Sequence, residues 1–249
     1  MSNTSRCALV TGASSGIGRS TAVALAEAGY AVAVAARRRE PLDELVAEIE
    51  SSAGKAVAIT ADLTKPDDIR RVWTDATEKL GGPIDCLIAN AGRGLQGGVT
   101  TSDDTQWRQM VELNLTGTMD LMRLAAESMR TGTGVRDIVV IGSVVGVNVS
   151  PFSAVYGATK FAIGAAAESL RRDIGKEGIR VTVIKPGIVT TEFQEVAGYD
   201  AETFGTAVAK FGRPLSADDV ARSIRFVVEQ PEGVHINDLM IRPTGQDYP

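Results

Sequence analysis

Thr11-Gly12-Ala13-Ser14-Ser15-Gly16-Ile17-Gly18 follows directly on the apolar run Arg6 to Thr11 and opens a helix-forming stretch that continues to Ala28. Strand, glycine turn and helix start together make an anion site. Glycine permits the tight turn and lets the backbone approach a pyrophosphate, whose charge suits the free amides at a helix N-terminus. The spacing is GxxxGxG rather than GxGxxG, so the position after a strand carries more weight than the glycines alone. Two rival motifs share these residues. A P-loop needs GxxxxGK[ST]; here the spacing is off by one, and Arg19 replaces the lysine. Gly12-x-Ser14-x-Gly16 also fits the GxSxG of a serine hydrolase, with Ser14 as nucleophile. That chemistry needs a base, and the single histidine, His235, heads the last strand.

Outward from this turn, short β-rich runs alternate with stretches at helical period, which predicts parallel strands joined by crossover helices. Strands are expected at Arg6 to Thr11, Ala31 to Ala36, Lys55 to Thr60, Asp85 to Ala89, Asp137 to Ile141, Arg180 to Lys185 and Ile236 to Ile241. Leu42, Leu45, Val46 and Ile49 form one apolar stripe between strands; Ile69, Val72, Trp73, Ala76 and Leu80 form another, and Val220, Ile224, Val227 and Val228 a third. The expected fold is α/β: one Rossmann-like, doubly wound parallel sheet of about seven strands, helices on both faces, in a single domain over residues 1–249. The helices around 107–129 and 156–175 are apolar or small on more than one face. A sheet covers only one, so they are expected to bury the rest against a second copy, as a homo-oligomer (tetramer or dimer).

The 249 residues are 44% hydrophobic and 23% charged, as in an ordinary globular protein. A net charge of −5 offers no broad attraction to a polyanion, which argues against nucleic acid. Apolar runs such as Tyr30 to Ala36 fall far short of the ~20 residues needed to cross a bilayer, so no membrane span is expected. Cys7 and Cys86 sit in apolar strands and read as reduced core thiols; with the polar start Met1 to Arg6, they point to a cytoplasmic protein. One lone histidine gives no support to a metal site.

The second strand ends in Ala36-Arg37-Arg38-Arg39, where an NAD site would place an acid on the ribose 2′-hydroxyl. Arg37 and Arg38 can instead donate paired hydrogen bonds to a 2′-phosphate, so NADP(H) is the expected cofactor. Arg39 reads as solvated. Tyr156-Gly157-Ala158-Thr159-Lys160 opens the most apolar helix. Positions i and i+4 share a helix face, and a cation held near the phenol lowers its pKa from about 10, making Tyr156 a usable proton donor and acceptor.

The whole arrangement resembles the short-chain dehydrogenase/reductase family over essentially the entire chain. The glycine turn at Thr11 to Gly18, Asp62-Leu63, Asn90-Ala91-Gly92, Ser143, the YxxxK at Tyr156 to Lys160, and Pro186-Gly187 occur in the family's order. Ala89 stands where many members carry a first asparagine. The resemblance implies a tetrad of Asn114, Ser143, Tyr156 and Lys160. In it Ser143 bonds the substrate oxygen, Tyr156 passes the proton, Lys160 tunes Tyr156 and holds the nicotinamide ribose, and Asn114 distorts its helix and fixes a water. It also implies a cofactor seat of Gly12, Ser14, Ser15, Gly16, Ile17, Gly18, Arg37, Arg38, Asp62, Leu63, Asn90, Ala91, Gly92, Tyr156, Lys160, Pro186, Gly187, Val189 and Thr191. Asp62 would accept from the adenine amine, though it also reads as a turn residue, and Thr191 would hold the carboxamide.

Substrate choice is expected in residues 189–212, a lid-length segment carrying Phe193, Tyr199, Phe204 and Phe211, and in Arg93 to Gly98 across the cleft. The Ala35-Ala36-Arg37-Arg38 run and the ending Met240 to Gln246 resemble the NADP-dependent branch acting on 3-hydroxy acids and serine-like alcohols. The expected activity is hydride transfer between NADP(H) and a small carbonyl or secondary alcohol. A catalytically silent NADP(H)-binding sensor or scaffold and a Ser14 hydrolase are the alternatives.

Overall fold

The computed structural model describes residues 6–209 and 211–248; Met1 to Ser5, part of the basis for expecting a cytoplasmic protein, lie outside them. Seven strands, β1 (Cys7–Thr11), β2 (Ala31–Ala36), β3 (Lys55–Thr60), β4 (Cys86–Ala89), β5 (Arg136–Ile141), β6 (Ile179–Pro186) and β7 (Asp238–Ile241), form one sheet in the order β3-β2-β1-β4-β5-β6-β7. Every pairing is parallel. All seven expected strands are present; β2 and β3 keep the expected ends, and the others differ by one or two residues. Strand β4 begins after Asp85, whose carboxylate accepts from the Cys7 amide and the Arg6 guanidinium. Strand β7 begins two residues after Ile236, whose carbonyl accepts from the Thr182 hydroxyl at 2.6 Å.

Nine helices are described: α1 (Gly16–Glu27), α2 (Arg39–Ser51), α3 (Pro66–Leu80), α4 (Asp104–Val111), α5 (Thr118–Met129), α6 (Ala154–Ile174), α7 (Phe193–Val196), α8 (Ala201–Ala209) and α9 (Ala217–Val228). The expected stripes choose the faces. Leu25, Leu42, Leu45, Ile49, Val220 and Ile224 of α1, α2 and α9 bury one side with Val10, Val32 and Ile88. Ile69, Val72, Leu121, Ile163 and Ala167 of α3, α5 and α6 bury the other with Leu9, Leu87 and Ile138. Helix boundaries follow local chemistry. Pro66 starts α3, Asp67 and Asp68 lie in its first turn, and Gly81 ends it at φ 74°. Ser216 and Asp219 close a capping box at the start of α9.

Because strand order reverses between β1 and β4, the loops leaving their carboxyl ends part and open a cleft there. The opposite, amino-terminal edge is closed by charge. Asp137, 1% exposed, accepts two bonds from Arg180 (2.7 and 2.8 Å) and one from Arg6 (2.8 Å). Arg180 also donates to the carbonyls of Val228, Gln230 and Val234, stapling the end of α9 to the sheet.

One expectation changes in form. The stretch from Trp107 to Met129 is not one uniform helix: α4 and α5 are joined by a π-helical turn, Glu112–Gly117. Among the described residues, no helix is long and apolar enough to cross a membrane.

Candidate active site

The glycine turn is closed too tightly for side chains. A Cβ on Gly18 would stand 2.5 Å from both the Gly12 carbonyl oxygen and Asn90 Nδ2; Gly12 and Gly16 adopt φ of 64° and 55°. Asn90 locks the turn by donating from Nδ2 to the carbonyls of Thr11 (2.8 Å) and Gly12 (3.2 Å). Thr11 Oγ1 in return accepts from the amides of Asn90 and Ala91, both at 3.1 Å. The side chain of Ser15, at the N-cap, makes no capping bond, which leaves the first amides of α1 open to an anion. A cradle of bare backbone before uncapped helix amides fits a dinucleotide pyrophosphate.

At the end of β2, Arg38 Nη2 donates to Ser14 Oγ at 3.1 Å, which sets its guanidinium beside the turn. Arg37 is exposed, and Arg39 pairs with Asp43 one helical turn on, as its solvated reading required. Asp62 Oδ1 accepts from the Thr64 amide and hydroxyl, and the Asp62 amide donates to Asp68, so a turn role is visible. Leu63 packs its carbonyl against Gly117, where a Cβ would lie only 2.0 Å away. The proposed nucleophile Ser14 meets no histidine: the His235 ring contacts the carbonyl of Val181, near the start of β6 and away from the cleft.

Ser143 lies two residues past β5 and caps a 3₁₀ turn, accepting from the Val145 amide. Its hydroxyl also faces the phenol of Tyr156, on the first turns of α6. Lys160 is buried one turn further on, with Nζ donating to the Ile141 carbonyl at 2.6 Å and lying 5.6 Å from the centroid of the Tyr156 ring. Burial pushes the Tyr156 phenol above its usual value, and the nearby Ser143 hydroxyl only partly opposes this. The expected depression of that pKa by Lys160 is therefore not seen; the ammonium is committed to a backbone carbonyl. Burial pushes Lys160 itself down to about 8.

Asn114 occupies the π-helical turn, whose widened backbone matches the distortion expected of its helix. Its Oδ1 accepts from the Arg93 amide (2.9 Å) and its Nδ2 donates to the Arg93 carbonyl (2.8 Å) and to Thr159 Oγ1 (3.3 Å). The side chain thus ties the loop after β4, with Ala91 and Gly92, to α6.

The description "short chain dehydrogenase" fits residues 6–201, most of the chain. The chain belongs to the short chain dehydrogenase family. It is an oxidoreductase of that family. Identity is 33% over 247 residues with an uncharacterized oxidoreductase of Listeria monocytogenes, covering 96% of this chain and 97% of that one. It is 35% over 243 residues with glycine betaine reductase of Emericella nidulans, covering 96% of this chain but 19% of that one. The closed form of a serine dehydrogenase complexed with NADP+ has a TM-score of 0.88 at 28% identity, covering 97% of this chain and 96% of that one.

In this dehydrogenase the segment after Pro186-Gly187 folds back over the cleft. The Gly187 amide donates to the Ile241 carbonyl at 2.7 Å, and a Cβ on Gly187 would stand 2.3 Å from Gln246 Oε1, which itself accepts from the Ile188 amide. Val189 is buried, Gln194 Nε2 donates to its carbonyl, and Gln194 Oε1 accepts from the Thr191 amide. Thr191 reaches the glycine turn, 3.1 Å from where a Gly16 Cβ would stand. Helix α7 then sets the Phe193 ring 5.4 Å from that of Tyr156, and Tyr199 bonds Ser153. Phe204's side chain lies outside the described residues.

Sequence reasoning missed three of these parts. Gly94 is the seat of α7, since a Cβ there would meet Phe193 at 2.6 Å and Ala197 at 2.7 Å; a glycine in a loop carries no such signal by itself. Thr159 supports Asn114 from inside the YxxxK motif. Gln246 appeared only as part of a family-like ending, whereas its buried amide braces the Pro186-Gly187 loop.

Proposed function

We propose that this enzyme moves hydride between NADP(H) and a small carbonyl or secondary alcohol, with Tyr156 as general acid and base. One observation carries the reading: the Ser143 hydroxyl and the Tyr156 phenol face one another at the carboxyl edge of the sheet, with Lys160 one helical turn beyond. The NADP-bound serine dehydrogenase of the same fold supports the cofactor choice, as do Arg37 and Arg38 at the end of β2.

Bound NADP(H) supplies or accepts the hydride. Gly12 to Gly18 would receive the pyrophosphate, with Ser14, Ser15, Ile17 and the α1 amides around it; Arg37 and Arg38 would take the 2′-phosphate. Asp62, Leu63, Asn90, Ala91 and Gly92 would line the adenosine side, and Pro186, Gly187, Val189 and Thr191 the nicotinamide side. Ser143 would donate to the substrate oxygen, and Tyr156 would give it a proton on reduction or take one on oxidation. Lys160 would hold the nicotinamide ribose, and Asn114 would fix a water that links Lys160 to solvent. Phe193 and Tyr199 would shut water away from the phenol.

Ala158, Phe161 and Ala165 leave one face of α6 exposed and apolar, which supports a homo-oligomer formed through α6 and the 107–129 segment. Absorbance of reduced nicotinamide, followed with a panel of aldehydes, ketones and alcohols, tests the activity. Wild type should turn over at least one of them, while Tyr156→Phe should lose roughly 10²- to 10⁴-fold in rate and still bind NADPH. No turnover of any member by wild type that binds NADPH would favour the silent binder.

A further inference from the structure

Arg38 Nη2 has two partners. It donates to Ser14 Oγ in the glycine turn at 3.1 Å and to the Glu192 carboxylate at 3.0 Å. Glu192 follows Thr191, so the ion pair ties the first residues of the lid to the end of β2, across the mouth of the cofactor cradle. Thr191 presses on the same turn at Gly16. The lid therefore carries its own anion to the guanidinium that the proposed function assigns to a 2′-phosphate.

We infer that Glu192 is a cofactor-discriminating residue, which occupies Arg38 and must be displaced by a dinucleotide bearing a 2′-phosphate but not by one with a free 2′-hydroxyl. A carboxylate and a phosphate both accept from the N–H edge of a guanidinium. The phosphate brings more charge, and a second cation, Arg37, stands exposed beside it to help the exchange. Once displaced, Glu192 faces an anion of like sign and is pushed away from it. NADP(H) thus unlatches the start of the lid, whereas NAD(H) leaves the ion pair closed above it. The consequence is a built-in brake on NADP(H) affinity, which narrows its advantage over NAD(H) and couples the adenosine end of the cofactor to the segment covering Tyr156.

This inference rests on Arg38 as a 2′-phosphate ligand, and the test separates the two. NADPH and NADH are titrated by their fluorescence into wild type, Glu192→Gln, Arg38→Ala and the double variant, at low and at physiological salt. Glu192 and Arg38 are both exposed, so the variants should fold. Glu192→Gln should tighten NADPH roughly threefold to tenfold and NADH less than twofold, with the difference shrinking as salt rises. In the Arg38→Ala background, the same exchange should change neither. Equal tightening of both dinucleotides, or an undiminished gain without Arg38, overturns the inference. Should Arg38→Ala weaken NADPH while Glu192→Gln is neutral, the inference alone falls. If Arg38→Ala leaves NADPH binding unchanged, the assignment of Arg38 falls first and takes the inference with it.

Discussion

The Lys160 ammonium is held by the Ile141 carbonyl at 2.6 Å, inside the helix turn that carries Tyr156. Its pKa is lowered from 10.5 to about 8 by burial, so between these values the unfolded chain binds a proton that the folded chain does not. Stability must then rise with pH above 8. The raised Tyr156 phenol works the other way above pH 10, where the unfolded phenol ionises first. Urea unfolding of wild type between pH 8 and 10 should therefore gain about 2 kcal/mol over Lys160→Met across the same range. Parallel pH dependences of the two proteins would contradict a buried, proton-shedding lysine.

Gly18→Ala should damage the cradle directly. The new methyl has only 2.5 Å to the Gly12 carbonyl and to Asn90 Nδ2, both fixed by the hydrogen bonds that shape the turn. A loss of roughly 1–3 kcal/mol in stability and at least tenfold in NADPH affinity is expected. Thermal melting and fluorescence titration measure both, and retention of wild-type affinity would show that the turn is not the pyrophosphate seat.

Gly94→Ala should act on the lid. A methyl at that position meets Phe193 and Ala197, so α7 must lift from the loop after β4 and carry Phe193 away from Tyr156. The KM for the carbonyl substrate should rise about fivefold or more, with the dissociation constant of NADPH changed less than twofold. Steady-state kinetics and titration on one preparation distinguish this from general unfolding, which would lower apparent kcat and the number of NADPH sites while leaving KM unchanged.

At the far edge of the sheet, Asp137→Asn leaves the Arg6 and Arg180 guanidinium groups without their shared carboxylate. Breaking a buried pair in this way should destabilise the fold by about 3–5 kcal/mol. Because the cluster lies opposite the cleft, kcat per folded molecule should stay near that of wild type. Chemical denaturation and turnover below the melting transition check the two halves of this expectation.

Much of this molecule is readable along the chain because its elements are encoded by local period. Leu42, Leu45 and Ile49 recur at helical spacing, and all three are buried against the sheet. Tyr156 and Lys160 are paired by helical spacing, whereas Asn114 and Ser143 are legible only through a family pattern, since no local rule links them to that helix. Strand ends at Asp85 and Ile236 are not readable from neighbours, because each residue bonds a side chain far away in the chain, Arg6 just before β1 in one case and Thr182 of β6 in the other. The i and i+4 spacing places Lys160 on the face of Tyr156 without saying where its ammonium points, and in the fold it points to the Ile141 carbonyl.

By itself, the order of residues determined the parallel α/β architecture, the glycine turn before α1 and the arginine-rich end of β2, because turn geometry, hydrophobic period and charge are properties of neighbours in the chain. Tertiary structure alone decided which groups share space. Glu192 meets Arg38, the Phe193 ring packs at a tilt beside Tyr156 and against Gly94, and Lys160 donates to Ile141. Those contacts join residues far apart in the chain, and they depend on how the crossovers wind and on which backbone carbonyls the fold leaves within reach.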